Sequence, residues 1–198
     1  MSSILPFRGA AGGQPSPTVG HGIHLMDSLL WLMGDWVDVT ARMATLDRAI
    51  EVEDVSMAIV RFANGAMASM INSVLCPRQE TYLRIDFQHA TVEATGLYSV
   101  ANKDWRWTRQ PAETGRSWGS FDPEIPASHT TVVAAVLDDM HYGRAPLTTG
   151  TETRRTVELV TAMYKSAQTG ESVRSGSIGP SDPFYHALMV SPAALGKS

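Results

Sequence analysis

Cysteine is almost absent from this chain, since its 198 residues contain only one, Cys76. A single cysteine cannot form an intrachain disulfide or supply a cysteine-based zinc cage. The sequence also lacks an uninterrupted apolar run of the roughly 18 residues that a membrane span requires. Residues 1–8 show no apolar signal-peptide core. The sequence therefore predicts a cytoplasmic protein without disulfides or membrane spans.

Charge of one sign is not concentrated in any part of the chain. Sixteen Lys and Arg stand against 20 Asp and Glu, which gives a formal net charge of -4. Nucleic acids and anionic membranes attract clusters of basic residues, and the sequence contains none. Neither partner is therefore predicted. The length suffices for one globular domain with a sizeable core.

A glycine-rich dinucleotide-binding turn is also missing. Gly20-His21-Gly22 comes nearest, but Leu25 occupies the position of the third glycine, and no predicted strand precedes the first. No strand–helix–strand alternation surrounds it. The sequence therefore predicts no cofactor-binding residues in this chain.

The most informative stretch that is present runs from Gly20 to Gly34. Its apolar residues recur at intervals of three and four, as on one face of a helix: Ile23, Met26, Leu29, Leu30, Leu32 and Met33. Val19 introduces this helix, and Gly34 stands where a left-handed C-terminal cap is needed. The pattern predicts an amphipathic helix that ends at Gly34.

Three side chains at the start of this helix, His21, His24 and Asp27, are the candidate catalytic residues. Because they lie three residues apart, successive positions turn by about 300° and share a broad helix face. A neutral histidine can take a proton from a hydroxyl group and return it, and a nearby aspartate can fix its tautomer. Two other interpretations stay open: structural roles at a helix N-terminus, and metal binding by two histidines and a carboxylate.

Downstream, hydrophobicity alternates with period two, which is the pattern of half-buried strands. The predicted strands are Trp36–Leu46, Asp54–Ala63, Ala66–Leu75, Glu80–His89 and Thr91–Thr95, with a further hairpin over Leu97–Asn102 and Asp104–Thr108. Asn64-Gly65 suits the two positive φ values of a type I′ hairpin turn. Helices are predicted at Ser128–Tyr142 and from Thr149 to about Gln168, the second opened by a capping box. This order predicts an α+β fold with a large, mainly antiparallel β-sheet and helices packed on one face.

The predicted order of elements divides the chain into three parts. Residues 1–18 are a flexible lead-in, 19–174 form a single α+β domain, and 175–198 form a C-terminal arm that docks on this subunit or on a neighbour. The segment 109–126 is a long loop of the kind that is often functional or mobile. Four aromatic residues in and before it offer either a sugar-stacking platform or ordinary packing: Trp105, Trp107, Trp118 and Phe121.

Three segments, in the right order, resemble one known family. They are G-x-H-x-x-D with an apolar helix ending W-L-M-G, then E-D-V-S-M-A-I-V-R-F-A-N-G-A-M-A-S-M, and finally G-T-E-T-R-R-T-V-E-L-V-T-A-M-Y-K-S-A-Q-T-G-E-S-V. Together they resemble the C-terminal domain of the glucose–fructose oxidoreductase/inositol dehydrogenase (Gfo/Idh/MocA) family. The resemblance covers most of residues 18–173.

The resemblance implies a two-domain NAD(P)-dependent dehydrogenase that acts mostly on sugars and cyclitols. In that family an N-terminal Rossmann half holds the cofactor and a catalytic lysine. The C-terminal half, with a dihydrodipicolinate-reductase-like sheet, supplies the substrate pocket, a histidine and usually the oligomer interface. On that pattern His24 is the catalytic histidine and Asp27 its neighbour. An aspartate that many members carry four residues earlier is Gly20 here, with His21 beside it.

The predicted function is accordingly that of a substrate-binding and oligomerisation domain of an NAD(P)-dependent oxidoreductase. Its substrate is a sugar, cyclitol or related polyol, and it is inactive without a Rossmann domain. NAD or NADP is expected for intact members and no cofactor for this chain alone. A homo-oligomer formed through the sheet face is expected. The alternative is a non-catalytic binding or assembly protein built on the same sheet.

Overall fold

Antiparallel strands build both sheets of the chain, whose residues 16–96, 100–111, 128–146 and 150–195 are described by a computed structural model. In chain order the elements are a π-helical turn Thr18–Gly22, α1 Ile23–Met33, β1 Trp36–Ala44, β2 Val55–Phe62, β3 Met67–Ser73, β4 Tyr82–Asp86, β5 Ala90–Thr95, β6 Trp105–Arg109, α2 His129–His141, α3 Gly150–Thr169 and β7 Val173–Arg174. Strands and helices are segregated along the chain in the predicted order. The predicted α+β class with antiparallel sheets is confirmed.

The described residues form two compact units. The first contains those up to Pro77 together with those from Gly150 onward, and the second contains those from Arg78 to residue 146. The first unit holds a four-stranded sheet of order β3-β2-β1-β7, and the second a three-stranded sheet of order β4-β5-β6.

Strand β2 follows the predicted alternation along its whole length. Its even-numbered residues from Ser56 to Phe62 are buried, whereas Met57, Ile59 and Arg61 are exposed. Alternate side chains of a strand point to opposite faces, so one face of this strand belongs to the core. The opposite face carries large apolar side chains that are open to solvent.

Strand β1 departs from a simple alternation at its start. A bulge lies between Trp36 and Asp38 in the pairing with β2. Val37 is therefore exposed and Asp38 buried, whereas strict period-two alternation would place Val37 on the buried side with Val39, because one extra residue shifts the phase of a strand. Asp38 receives hydrogen bonds from Arg61 on the neighbouring strand.

The hairpin between β2 and β3 forms where it was predicted, but its turn is of another type. Gly65 has a φ of 87°, and no described residue other than glycine has a positive φ, so Asn64 does not adopt the type I′ conformation. Phe62 N donates to Ala66 O, and Gly65 N donates to Phe62 O. This pattern is a three-residue loop with a left-handed glycine. The Asn64 side chain supports it by accepting from Ala66 N.

Helix α3 covers the inner face of the four-stranded sheet. Leu159, Ala162 and Met163 are fully buried against it. Strand β7 is too short to pair with the whole edge of β1. At the unpaired part of this edge, the Ser166 hydroxyl accepts a hydrogen bond from Ala41 N at 2.9 Å. Helix α1 also contacts α3. Both helices of this unit therefore serve one core.

The segment after β7 folds back on α3. Lys165 forms an ion pair with Asp182, and Phe184 is 2% exposed. Gln168 donates to Leu188 O and accepts from Val190 N. These contacts attach residues 182–190 to the helix of their own chain.

The second unit has a buried and a charged sheet face. Leu83, Ile85 and Val92 are buried, while Glu93 on the other face accepts hydrogen bonds from Tyr82 and Arg106. Helix α2 of this unit exposes much of its apolar stripe to solvent: Val132, Val133, Leu137 and Met140.

Asn102–Asp104 is a 3₁₀ turn rather than the end of the predicted strand. The remaining residues of that strand include 97–99, which lie outside the described residues.

Candidate functional site

The candidate site lies on the helix that opens the described chain. Its first turn, Thr18–Gly22, is π-helical and continues without a break into α1. Ser16 caps this turn, because its hydroxyl accepts from Val19 N at 3.1 Å. π-Helical turns are rare and occur frequently at functional sites. Gly34 ends the helix with a φ of 85°, as predicted.

The three predicted residues lie on the exposed side of this helix. His21 belongs to the π-helical turn, His24 to the first turn of α1, and Asp27 to the next, and all three residues are exposed. Met26 and Leu30, on the opposite side, are 1% and 2% exposed. The wider π-helical turn alters the angular step between His21 and His24 from the ideal α-helical value used in the sequence analysis.

Asp27 is tied to the second helix of the unit. Its Oδ1 accepts a hydrogen bond of 2.7 Å from the Thr156 hydroxyl of α3, and Thr156 is 3% exposed. One turn later, Arg155 Nη2 donates to Leu30 O at 3.2 Å. Asp27 therefore links α3 to the helix that bears His21 and His24, which we call the histidine helix.

A buried polar cluster lies beneath the start of the helix, and we call Ser16, Glu53 and Tyr164 the cap cluster. The Ser16 hydroxyl donates to Glu53 Oε1, and the Tyr164 hydroxyl donates to Glu53 Oε2 at 2.8 Å. Thr18 N donates to Glu53 Oε1 at 3.3 Å. The three residues are 0%, 6% and 2% exposed. Burial and the negative charge of Glu53 raise the pKa of Tyr164, so this phenol stays protonated and acts as a donor.

A second set of contacts holds the π-helical turn against β2 and β3. The Thr18 hydroxyl donates to Ser56 Oγ at 2.7 Å, and Asn72 Nδ2 donates to the same oxygen at 3.1 Å. Gly22 lies directly over Asn72: a Cβ at this position would come within 2.7 Å of Asn72 Cγ. Gly22 has an ordinary helical φ of -62°, so space rather than backbone conformation requires glycine here.

A metal site and a Rossmann-type dinucleotide unit can be compared with the geometry of the described residues. Among them, no three His, Cys, Asp or Glu side chains come together as ligands of a metal ion, so the metal-binding interpretation gains no geometric support. Their strand pairs are all antiparallel. A dinucleotide-binding unit needs parallel strands joined through a helix, and no described pair provides one.

Sequence reasoning missed most of the residues that support the candidate site. Tyr164 and Thr156 lie within the second predicted helix, and no sequence motif marks them, Ser16 or Glu53 as part of a site. Their side-chain partners lie 37 to 148 residues away in sequence, so no local spacing indicates them. Of the proposed aromatic platform, Trp107 on β6 is 38% exposed, whereas Trp118 and Phe121 lie outside the described residues, as does Thr149 of the capping box.

The link between Thr156 and Asp27 leads to a first prediction. Thr156→Val removes the hydroxyl and keeps the shape, and we expect it to lower the free energy of unfolding by about 1–2 kcal/mol, because a hydrogen bond to a carboxylate is lost inside the structure. Urea unfolding followed by circular dichroism measures this value. Thr161→Val on the same helix is the matched control, since its hydroxyl bonds only the Val157 carbonyl. Equal effects of the two changes would contradict a special role for this link.

An antiparallel sheet backed by helices, one of which bears His24, defines the class of this protein as an α+β domain. Residues 8–96 match the sequence profile of the GFO/IDH/MocA C-terminal domain. Over these residues the chain is similar to the C-terminal domain of the GFO/IDH/MocA oxidoreductase family, and the resemblance seen in the sequence is confirmed. In the described residues, no helix is long and apolar enough to cross a membrane.

Individual relatives agree with this assignment. The D-apiose dehydrogenase of Paraburkholderia graminis is 27% identical over 171 residues, which make up 82% of this chain and 45% of that protein. The WlbA dehydrogenase of Bordetella pertussis, in complex with NADH and UDP-GlcNAcA, has a TM-score of 0.65 at 27% identity over 80% of this chain and 45% of its own. An oxidoreductase from Agrobacterium radiobacter, in complex with NAD+, L-tartaric acid and magnesium, shares the fold with a TM-score of 0.61 at 23% identity over 81% of this chain and 49% of its own. The chain spans about half the length of these relatives.

Proposed function

We propose that this chain is the substrate-binding half of an NAD(P)-dependent dehydrogenase that acts on a sugar, a cyclitol or a related polyol. The observation that carries the proposal is the exposed position of His24 on a helix that matches the family and is held from beneath by buried contacts. Two of the relatives named above are dehydrogenases, and WlbA was solved in complex with NADH and UDP-GlcNAcA. These findings support the class of reaction.

His24 is proposed to handle the proton of the substrate hydroxyl. An imidazole near neutral pH can accept a proton from an alcohol and return it in the reverse direction. His21, three residues earlier and also exposed, is proposed to contact the same substrate in place of the aspartate that many family members carry at the position of Gly20. Asp27 would orient the site through its link to α3. The described strand pairs are all antiparallel and form no Rossmann-type unit, so the cofactor is expected on another part of the enzyme.

The first experiment fuses this chain to the N-terminal half of the Paraburkholderia graminis D-apiose dehydrogenase and measures NADH formation with a panel of aldoses and cyclitols. His24→Ala is expected to lower kcat by about 10²–10⁴-fold, the usual contribution of a general base. His129→Ala, an exposed histidine of α2, is the control and should leave kcat unchanged. An unchanged turnover of the His24 variant would rule out the proton-transfer role.

The isolated chain gives a complementary expectation. Mixed with NAD+ and the same panel, it should form no NADH, because its sequence contains no glycine-rich dinucleotide turn. Steady production of NADH by the isolated chain, lost in His24→Ala, would show that the chain is active by itself and would overturn this part of the proposal.

We also propose that the exposed face of the four-stranded sheet joins two copies of the chain. Met57, Ile59, Met67 and Ile71 on this face are each more than half exposed. The solvent face of an antiparallel sheet is normally polar, and an apolar patch of this kind is typical of a contact surface. The alternative function, a non-catalytic assembly protein, would use the same face.

Light scattering at micromolar concentration tests this surface. The unaltered chain is expected to have the mass of a dimer or larger oligomer. Ile59→Lys, in the inner strand β2, should reduce it to a monomer because a buried, unpaired ammonium opposes association. Val133→Lys on α2 is the control, since it adds the same charge to an exposed apolar residue that belongs to the second unit. A monomeric unaltered chain would refute the assembly role.

A further inference from the structure

The cap cluster combines strong burial with a location at the start of the histidine helix. Glu53 precedes β2, Tyr164 lies on α3, and Ser16 stands immediately before the helix. No described Lys or Arg side chain forms an ion pair with Glu53. Its carboxylate is satisfied by Ser16, Thr18 N and Tyr164 instead. Burying a carboxylate is unfavourable unless such donors are held in place, so the three elements must be fixed relative to one another.

The contacts of this cluster are those of a helix cap that is assembled from distant residues. The first N–H groups of a helix lack partners within the helix, and a negative charge near them is favourable. Here Ser16 Oγ accepts from Val19 N and Glu53 Oε1 accepts from Thr18 N. Tyr164 fixes the other carboxylate oxygen. The start of the helix therefore depends on a glutamate and a tyrosine that lie outside it.

Helix α3 holds the histidine helix at two points. Tyr164 contacts its start through the cap cluster, and Thr156, eight residues earlier on α3, contacts Asp27. Residues eight apart lie on one helix face, so a single stripe of α3 sets both positions. His21 and His24 lie between these two points.

We propose that Glu53 and Tyr164 are positioning residues, which fix the π-helical turn and thereby the direction in which His21 and His24 leave the helix. For its catalytic consequence this inference rests on the proposed function, but the positions of the histidine rings can be tested without any activity. The two residues act through the helix and do not touch the reacting groups.

The hydrogen bonds of the cap cluster can be tested with variants that remove or replace individual partners. Tyr164→Phe removes one donor, and Glu53→Leu removes every acceptor of the carboxylate. Glu53→Gln can form a closed ring of hydrogen bonds. The new amide N–H donates to the Tyr164 hydroxyl, Tyr164 donates to the Ser16 hydroxyl, and Ser16 donates to the amide oxygen. The Ser16 and Tyr164 oxygens are close enough for this ring because they are 2.9 Å apart. Ser166→Ala is the matched control, because this buried hydroxyl of α3 bonds Ala41 N and Glu171 O instead.

The test records the ring signals of the histidines by two-dimensional NMR of the isolated chain, assigned with His21→Gln and His24→Gln. Tyr164→Phe and Glu53→Leu should shift or split the signals of His21 and His24, while Glu53→Gln and Ser166→Ala should leave them in place. If Glu53→Leu fails to fold, Tyr164→Phe and Glu53→Gln decide the question. Unshifted histidine signals in folded Tyr164→Phe would overturn the proposal, and so would equal shifts in Ser166→Ala.

The fusion enzyme supplies the catalytic readout. Tyr164→Phe is expected to lower kcat by about tenfold to a hundredfold with KM unchanged, as small misplacements of reacting groups do. Glu53→Gln should keep nearly full turnover. If Tyr164→Phe shifts the ring signals but His24→Ala leaves turnover unaltered, the proposed function fails and the positioning role stands. If His24→Ala abolishes turnover and Tyr164→Phe changes neither signals nor kcat, the positioning role fails alone.

Discussion

Gly22→Ala is expected to lower the free energy of unfolding by about 1–3 kcal/mol, the range for forcing extra atoms into a packed site. The new methyl group would come within 2.7 Å of Asn72 Cγ, so either Asn72 or the π-helical turn must move. Asn72 cannot turn away freely, because its amide donates to Ser56. Urea unfolding measures the loss, and NMR of His21 and His24 shows whether the turn itself moves.

Two controls separate the clash from a general effect of alanine. Gly150→Ala at the start of α3 has nothing within 4 Å of the new methyl group, and we expect it to be neutral or slightly stabilising. Asn72→Ala alone removes one hydrogen bond but should relieve the clash when combined with Gly22→Ala. The double variant is therefore expected to be more stable than the sum of the two losses predicts. Additive losses would show that Asn72 is not the obstacle.

Asp54→Asn is expected to lower the free energy of unfolding by about 3 kcal/mol at neutral pH. The carboxylate is fully buried and accepts from the backbone N–H groups of Leu46, Asp47 and Arg48, at 2.8 to 3.0 Å. An asparagine directs an N–H₂ group toward some of these donors and leaves them unsatisfied, which is unfavourable for each buried group. The loop that joins β1 to β2 is expected to lose its order at the same time.

The pH dependence of this effect follows from the pKa of Asp54. Burial raises the pKa, but the backbone donors of Arg48, Asp47 and Leu46 outweigh burial and hold the pKa below its ordinary value. A carboxyl group with a lowered folded pKa stabilises the native state above its unfolded pKa of about 4, and this stabilisation is lost as the pH falls through the folded value. The difference between the unaltered chain and Asp54→Asn should therefore be constant near neutral pH and shrink below about pH 4.

Asp86→Asn is the control for Asp54. Asp86 also has a lowered pKa, caused first by the Thr91 hydroxyl and then by Arg84, but it is exposed on the charged face of the three-stranded sheet. Exposed ion pairs contribute little to stability, so its unfolding curve should nearly coincide with that of the unaltered chain. An effect as large as that of Asp54→Asn would contradict the importance of the buried backbone donors.

Local patterns account for the parts of the fold that the sequence predicted well. The apolar spacing from Ile23 to Met33 and the alternation from Ser56 to Phe62 repeat with the periods of a helix and a strand. The continuous helical stretch 18–33 and strand β2 both form within two residues of the expected bounds. The hairpin at Asn64-Gly65 was predicted in place but with the wrong turn, because the same dipeptide fits two loop types. The period-two alternation of β1 breaks at Val37, because a bulge is set by pairing with the neighbouring strand.

By itself, the sequence determined the class of fold, the family resemblance and the helix that bears His21, His24 and Asp27. Each of these depends on residues that are close together in the chain. Only the tertiary structure decided what holds that helix: the cap cluster joins Ser16 to Tyr164 across 148 residues, and Thr156 reaches Asp27 across 129. Such contacts follow from how α3 packs against α1, and side chains that meet only after packing leave no local spacing to detect.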